Sequence, residues 1–341
     1  MRDVPWLRRL LWPVSLVWGA AVRLRAFAYR AGVVHPKRLP GTVISVGNLT
    51  AGGTGKTPMV LWLAERAHAD GKRVGILTRG YRARIPETPG APQSDEVAIY
   101  RTRLAHHVQL GVGSDRYANG MVLARHGVEW FLLDDGFQHL QLARDVDIVL
   151  LDATNPFGGG RLLPAGMLRE QKSALSRANI IVITRSEQAP AVETIVRRYT
   201  NAPIFHAVTE LKEILPLPSA KRAMPPSQWP RAGVFAFCGI GNPQAFFADL
   251  ERWGIRLAGR AIFADHHRYT QQEAAKLEQA ARESGADALI CTEKDVFNLR
   301  DVTFSLFPVG FARIAMRVSE SDNFWRMVLG IAEHRRVKTA S

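Results

Sequence analysis

The stretch Thr42-Val43-Ile44-Ser45-Val46-Gly47-Asn48-Leu49-Thr50-Ala51-Gly52-Gly53-Thr54-Gly55-Lys56-Thr57-Pro58 decides the fold. Its first five residues form a short, mainly β-branched run that predicts a buried strand. A glycine-rich loop follows, and residues 58–69 carry a helix pattern. Strand, glycine loop and helix in that order are the context a phosphate-binding loop requires, because successive backbone N–H groups and the helix N-terminus must converge on phosphate oxygens. The candidate ATP-binding residues are therefore Thr50, Ala51, Gly52, Gly53, Thr54, Gly55, Lys56 and Thr57. Lys56 would reach the β- and γ-phosphates, and the Thr57 hydroxyl would ligate Mg²⁺. The loop departs from the usual G-x-x-x-x-G-K-[ST] pattern in having Thr50 at the first glycine position.

A second nucleotide signal lies downstream in Val128-Glu129-Trp130-Phe131-Leu132-Leu133-Asp134-Asp135-Gly136-Phe137-Gln138-His139. Ligands of open α/β sheets collect at the carboxyl ends of strands. A hydrophobic strand ending in Asp134 and Asp135 thus offers carboxylates for Mg²⁺ or its water shell. Alone, such a pair is more often a turn or a helix cap; paired with the upstream GKT it reads as a metal site. Further apolar runs at Asp147–Asp152 and Asn179–Thr184 alternate with helices. Regular alternation of this kind predicts a parallel sheet covered on both faces.

Beyond these strands, Leu215-Pro216-Leu217-Pro218 and Met224-Pro225-Pro226-Ser227 mark a boundary. Val234–Cys238 then opens a new strand–turn–helix unit, with further strands expected at 255–263 and 288–291, a returning strand at 313–318 and a final helix at 322–333. The predicted fold class is α/β: a P-loop NTPase-like parallel-sheet domain, a second, smaller α/β domain and an N-terminal membrane-associated helix. The corresponding boundaries are 1–32 for the helix, 33–208 for the first domain, 209–230 for a linker, 231–310 for the second domain and 311–341 for the returning strand and last helix.

The 341 residues carry a formal charge of +14, which points to an anionic partner without identifying it. Residues 1–40 hold eight Lys or Arg against Asp3 alone, so this short segment supplies +7 of that excess. The same residues include Trp6, Trp12, Trp18, Phe27 and Tyr29. The uncharged run LLWPVSLVWGAAV has 13 residues, short of the roughly 20 that span a bilayer as a helix. A cleaved signal peptide, an ordinary packed helix and an interfacial helix all remain readings of this segment. The interfacial helix explains the aromatic and basic mixture best, with Trp and Leu at the acyl boundary and Arg at anionic headgroups. Only two cysteines occur, Cys238 and Cys291, both in apolar runs, so a disulfide framework or cysteine metal cluster is not expected.

Taken together, VGNLTAGGTGKTP, the acidic SDE at residues 94–96, LDDGFQH at 133–139, GGGRLLPAGMLRE at 158–170, FADHH at 263–267 and TEKD at 292–295 resemble the tetraacyldisaccharide 4′-kinase family. The resemblance runs in order over nearly the whole chain and extends to the basic aromatic N-terminus. It implies an ATP- and Mg²⁺-dependent phosphotransferase that phosphorylates the 4′-hydroxyl of a tetraacylated glucosamine disaccharide 1-phosphate to form lipid IV-A. It also implies a place on the cytoplasmic face of the bacterial inner membrane. On the same basis Asp95 accepts the proton of the attacking hydroxyl and His266 is its partner, with the two acting from different domains. Arg116 and Arg169 are implied in contacts to ATP, Glu170 in the metal shell, and Lys56 in catalysis.

Two rival functions come from other classes. A nucleotide-driven switch also uses a GKT loop, yet the nearest guanine-specificity candidate, Thr292-Glu293-Lys294-Asp295, has its Lys in the third place rather than the second. A nucleic-acid-binding protein is suggested by charge alone, without a recognised motif, and no nucleic-acid partner is expected.

Overall fold

The computed structural model describes residues 5–80, 94–104, 107–189, 191–222, 228–230 and 233–340. In chain order the principal elements are α1 (Pro5–Arg30), β1 (Thr42–Asn48), α2 (Lys56–Ala69), β2 (Val74–Thr78), α3 (Asp95–Leu104), β3 (Val108–Val112), α4 (Arg116–Arg125), β4 (Trp130–Asp134), β5 (Val146–Asp152), β6 (Ile180–Thr184) and α5 (Val192–Val196). They continue with β7 (Ile204–Pro216), β8 (Ala220–Arg222), β9 (Val234–Cys238), α6 (Pro243–Arg252), β10 (Leu257–Ile262), α7 (Gln271–Glu283), β11 (Ala288–Thr292), β12 (Phe304–Val318) and α8 (Ser321–Ala340). The chain groups into two compact units: residues 1–81, 104–208 and 316–341 form the first, and residues 82–103 and 209–315 the second.

In the first unit the strand order is β7-β6-β5-β1-β4-β2-β3, and every neighbouring pair is parallel. Strands β1, β2, β4, β5 and β6 are buried at every position. That is why they read as unbroken apolar runs rather than alternating ones. Strand β1 lies between β4 and β5, with Val46 opposite Asp134. This register carries the glycine loop and the Asp134-Asp135 pair to the carboxyl end of adjacent strands, the usual ligand position. The turn after β4 packs closely on β1: a Cβ added at Gly47 would lie 2.5 Å from the Phe137 Cβ and 2.7 Å from its backbone N. Gly47→Ala is therefore expected to destabilise the protein by about 1–3 kcal/mol, read as a lower denaturant midpoint.

Helix α1 has 26 residues and runs through Pro13. Residues 10–30 of it are long and apolar enough, by length and composition, to cross a membrane, and only 11% of the apolar window is buried. The sequence-based expectation that the segment is too short counted only the 13 uncharged residues; the helix continues past Arg23 and Arg25. Leu10, Trp12, Leu16, Val17, Leu24 and Phe27 are exposed on it. An apolar surface this large suits membrane association.

In the second unit β10-β9-β11-β12 form a parallel sheet. Helix α6 starts at the Asn242 cap with Pro243 in its first turn, and α7 starts at a capping box of Thr270 and Glu273. These local signals terminate the preceding loops and satisfy helix N-terminal donors. A core of Phe235, Phe237, Tyr269, Leu277, Leu289 and Phe304 packs one sheet face. Cys238 and Cys291 are buried free thiols.

Three boundaries differ from those read in the sequence. Residues 204–216, whose later part was assigned to a linker, form β7, and Met224–Ser227 lie outside the described residues. The returning strand begins at Phe304 rather than 313, passing through Pro308. Most consequentially, residues 82–103 group with 209–315, so Asp95 belongs to the second unit and not to the glycine-loop domain.

Candidate active site

The phosphate loop forms where β1 ends. Asn48 donates from Nδ2 to the Gly52 carbonyl at 3.4 Å and accepts from Lys56 Nζ at 3.3 Å. Gly52 and Gly55 have φ of +140° and +87°, conformations that L side chains rarely adopt. Glycine is thus required at both turns. Helix α2 begins at Lys56 without a side-chain cap. No side chain among the described residues takes the first N–H groups of the helix, an arrangement open to phosphate. Thr54 is buried, and its hydroxyl has no hydrogen-bond partner among the described residues.

The loop is paired with the 158–170 segment. Ala51 N donates to the Met167 carbonyl at 2.7 Å, Arg169 N donates to the Leu49 carbonyl at 2.8 Å, and Thr50 forms an antiparallel bridge with Leu168. This pairing gives Thr50 a backbone task at the position where the usual motif has glycine. It also brings Arg169 to the site. Arg169 Nη1 lies 2.8 and 2.6 Å from the two Asp135 carboxylate oxygens. Lys56 Nζ lies 3.4 Å from Asp135 Oδ1, and Arg116 Nη1 donates to the Asp135 carbonyl at 3.4 Å. Lys56, Arg116, Asp135 and Arg169, four residues singled out in the sequence, thus converge on one point.

Asp135 has φ of +51°, a left-handed conformation uncommon for a non-glycine residue. Burial alone would raise its pKa, but the combined positive charge of Lys56, Arg169 and Arg116 outweighs burial and holds the carboxyl well below the usual carboxylate range. Asp134 is buried and accepts from the Thr78 hydroxyl at 3.3 Å. His139, with its pKa lowered to about 4 by burial and by Arg116 and Arg144, is neutral at neutral pH. Glu170 stands apart from this group of contacts: both its oxygens accept from Arg177, each at 2.9 Å. Gln138 was not singled out in the sequence, yet its amide donates to the Asn48 carbonyl at 3.0 Å and ties the Asp-Asp turn to the loop. Its place beside the acidic pair in LDDGFQH was the available signal.

For a metal, the Thr57 hydroxyl with the Asp134 and Asp135 carboxylates is an oxygen-only set, the donor chemistry that suits Mg²⁺. No group of three or more His, Cys, Asp or Glu that could hold a metal occurs among the described residues.

The second unit holds a carboxylate–imidazole pair. Asp95 opens α3, is 4% exposed, and meets His266 Nδ1 at 2.8 Å through Oδ2. Its Oδ1 accepts from Asn298 Nδ2 at 3.1 Å. The hydrogen bond to Asp95 is the main cause that raises the His266 pKa; burial opposes it, and Asp265 and Glu96 add to the rise. The expectation that these two residues come from different domains is corrected: α3 groups with residues 209–315, and the pair is internal to that unit.

A parallel sheet with a glycine loop, an uncapped helix start, and a lysine and arginines gathered on an acidic turn define a phosphate-loop nucleotide-binding protein of the kinase kind. The profile of the tetraacyldisaccharide-1-P 4′-kinase (LpxK) family matches residues 7–332. The tetraacyldisaccharide 4′-kinase of Geobacter metallireducens is 40% identical over 325 residues, covering 91% of this chain and 94% of its own. That of Parvibaculum lavamentivorans is 39% identical over 317 residues, covering 91% and 86%. A crystal structure of LpxK from Aquifex aeolicus in complex with ATP superposes with a TM-score of 0.70 at 30% identity, covering 95% of this chain and 99% of that one. The chain belongs to the tetraacyldisaccharide 4′-kinase family. It is an ATP- and Mg²⁺-dependent phosphotransferase.

Proposed function

We propose that this protein transfers the γ-phosphate of ATP to the 4′-hydroxyl of a tetraacylated glucosamine disaccharide 1-phosphate at the cytoplasmic face of the bacterial inner membrane, yielding lipid IV-A. The observation that carries the reading is the convergence of Lys56, Arg116 and Arg169 on Asp135 beside the glycine loop. Phosphoryl transfer asks a protein chiefly for positioning and charge neutralisation. The backbone of residues 50–57 cradles the phosphates, Lys56 follows the charge that grows on the departing group, and Arg116 and Arg169 bind phosphate oxygens. Thr57, Asp134 and Asp135 would hold Mg²⁺, which would supply further charge neutralisation. Glu170, whose two oxygens meet Arg177 as those of Asp135 meet Arg169, would join the same shell. The attacking hydroxyl gives its proton to Asp95, whose charge and orientation are set by His266. Incubation with labelled ATP, Mg²⁺ and the disaccharide 1-phosphate should give a labelled lipid on thin-layer chromatography. Label released only as inorganic phosphate would overturn the acceptor.

Association with an anionic inner-membrane surface is assigned to α1. Its exposed apolar residues insert at the acyl boundary while Arg23, Arg25 and Arg30 meet headgroups. The helix is also tied to the nucleotide site: Ser15 Oγ donates to the Leu162 carbonyl at 3.2 Å, and Trp18 Nε1 donates to the Arg169 carbonyl at 3.1 Å. Deleting residues 1–30 is expected to move the protein from the membrane to the soluble fraction. Unchanged sedimentation with membranes would place the anchor elsewhere.

A further inference from the structure

The segment Thr292-Glu293-Lys294-Asp295-Val296-Phe297-Asn298 touches every part that holds the Asp95–His266 pair. Lys294 Nζ lies 2.6 Å from Glu96 Oε1, at the start of α3. Glu293 takes a two-point contact from Arg103 near the other end of that helix, at 3.0 and 2.7 Å. Planar guanidinium–carboxylate pairs of this form fix orientation as well as distance. The helix that begins with Asp95 is thus gripped at both ends by consecutive residues.

The same segment reaches the pair itself. Asn298 Nδ2 donates to Asp95 Oδ1, leaving Oδ2 for His266. Asp295, 1% exposed, accepts from Gly239 N at 2.8 Å, from Tyr269 Oη at 2.7 Å, and from Thr292 N and Oγ1 at 3.1 and 2.6 Å. The Gly239 carbonyl in turn accepts from His266 N at 3.0 Å. His266 has φ of +58°, a conformation that surrounding contacts must hold in place.

We infer that residues 292–298 are the positioning element of the Asp95–His266 pair, with Asn298 acting directly on the Asp95 carboxylate and Glu293 and Lys294 fixing the helix that carries it. This rests on the reading of Asp95 as the proton acceptor. Asn298 is a positioning residue: its amide leaves Asp95 no freedom to turn away from His266. A carboxylate held by one donor in place of two samples other rotamers, and small misplacements of a reacting group cost large factors in rate.

Asn298→Ala is expected to lower kcat roughly tenfold to a hundredfold, with KM for ATP within about twofold and an unchanged circular dichroism spectrum. Asn298→Asp, similar in size but without the donor, should be no better than Ala, and Asn298→Ser, which restores a donor, should recover part of the loss. The helix grip is tested separately by charge reversal. Lys294→Glu should reduce kcat, and adding Glu96→Lys to it should restore several-fold, a recovery that mere surface charge would not produce. Asp95→Asn is measured alongside. If Asp95→Asn abolishes turnover while Asn298→Ala retains wild-type kcat, the positioning inference fails and the proton-acceptor reading stands. If Asp95→Asn itself turns over normally, both fall. Should Asn298→Ala not fold, the charge reversal decides, and absence of recovery in the double variant overturns the inference.

Discussion

Lys56→Ala is expected to lower kcat by roughly a hundredfold or more while the protein stays folded. Lys56 opens α2, with its Nζ 3.3 Å from Asn48 Oδ1 and 3.4 Å from Asp135 Oδ1. Its side chain is 15% exposed, so solvent screens it weakly. In the resting site this ammonium neutralises the acidic turn; during transfer it is the cation that meets charge building on the departing phosphoryl oxygens. An interaction that strengthens in the transition state is lost mainly from kcat, whereas one present equally in the bound state is lost mainly from KM. The fold does not depend on it, because Arg169 holds both oxygens of Asp135 when Lys56 is gone. Steady-state kinetics with ATP varied, beside a thermal melt, checks both halves. Near-normal turnover in a folded variant would remove the nucleotide-site reading.

Much of the first unit was legible because its strands are buried on both faces. Thr42–Asn48 and Val146–Asp152 have no exposed position, so composition alone marks them as interior. The glycine loop was legible for a different reason: positive φ at Gly52 and Gly55 excludes most other residues. By contrast, β7 alternates buried and half-buried positions only as far as Thr209, exposes Glu210 and Lys212, and ends in Pro216. That pattern, beside Pro218, resembles a polar connection. Pro308 likewise hid the first half of β12, since proline inside a strand argues against one.

Side-chain partners were less legible than elements. Arg169 and Glu170 are adjacent in sequence, yet Arg169 meets Asp135 while Glu170 meets Arg177. The difference comes from backbone pairing of residues 167–169 with 49–51, a long-range contact that no local pattern encodes. Asn298 is a further case: an Asn after a short turn reads as a turn former, and only the fold brings it to Asp95, 203 positions away. The placement of α3 in the second unit was missed for the same reason. Sequence proximity to the glycine loop suggested one domain, whereas the ties of α3 run to Glu293 and Lys294.

Replacing Asp95 and His266 separately by Ala is expected to cut kcat strongly, with a smaller effect on KM for ATP, and the double variant should be little worse than the worse single. Groups that act as one unit are non-additive, and the 2.8 Å contact makes these two a unit. The imidazole also leaves a signature in stability. The Asp95 hydrogen bond, against burial, lifts the His266 pKa above its ordinary 6.5 in the folded protein. A raised folded value means that protonated His266 stabilises the fold fully below 6.5, and that this stabilisation is lost as pH rises through the higher folded value. The wild type should therefore lose melting temperature over the window just above 6.5, and His266→Ala should show a flatter dependence there. Multiplicative losses in the double variant would mean that the residues act independently. Proton transfer would then need an acceptor other than this pair.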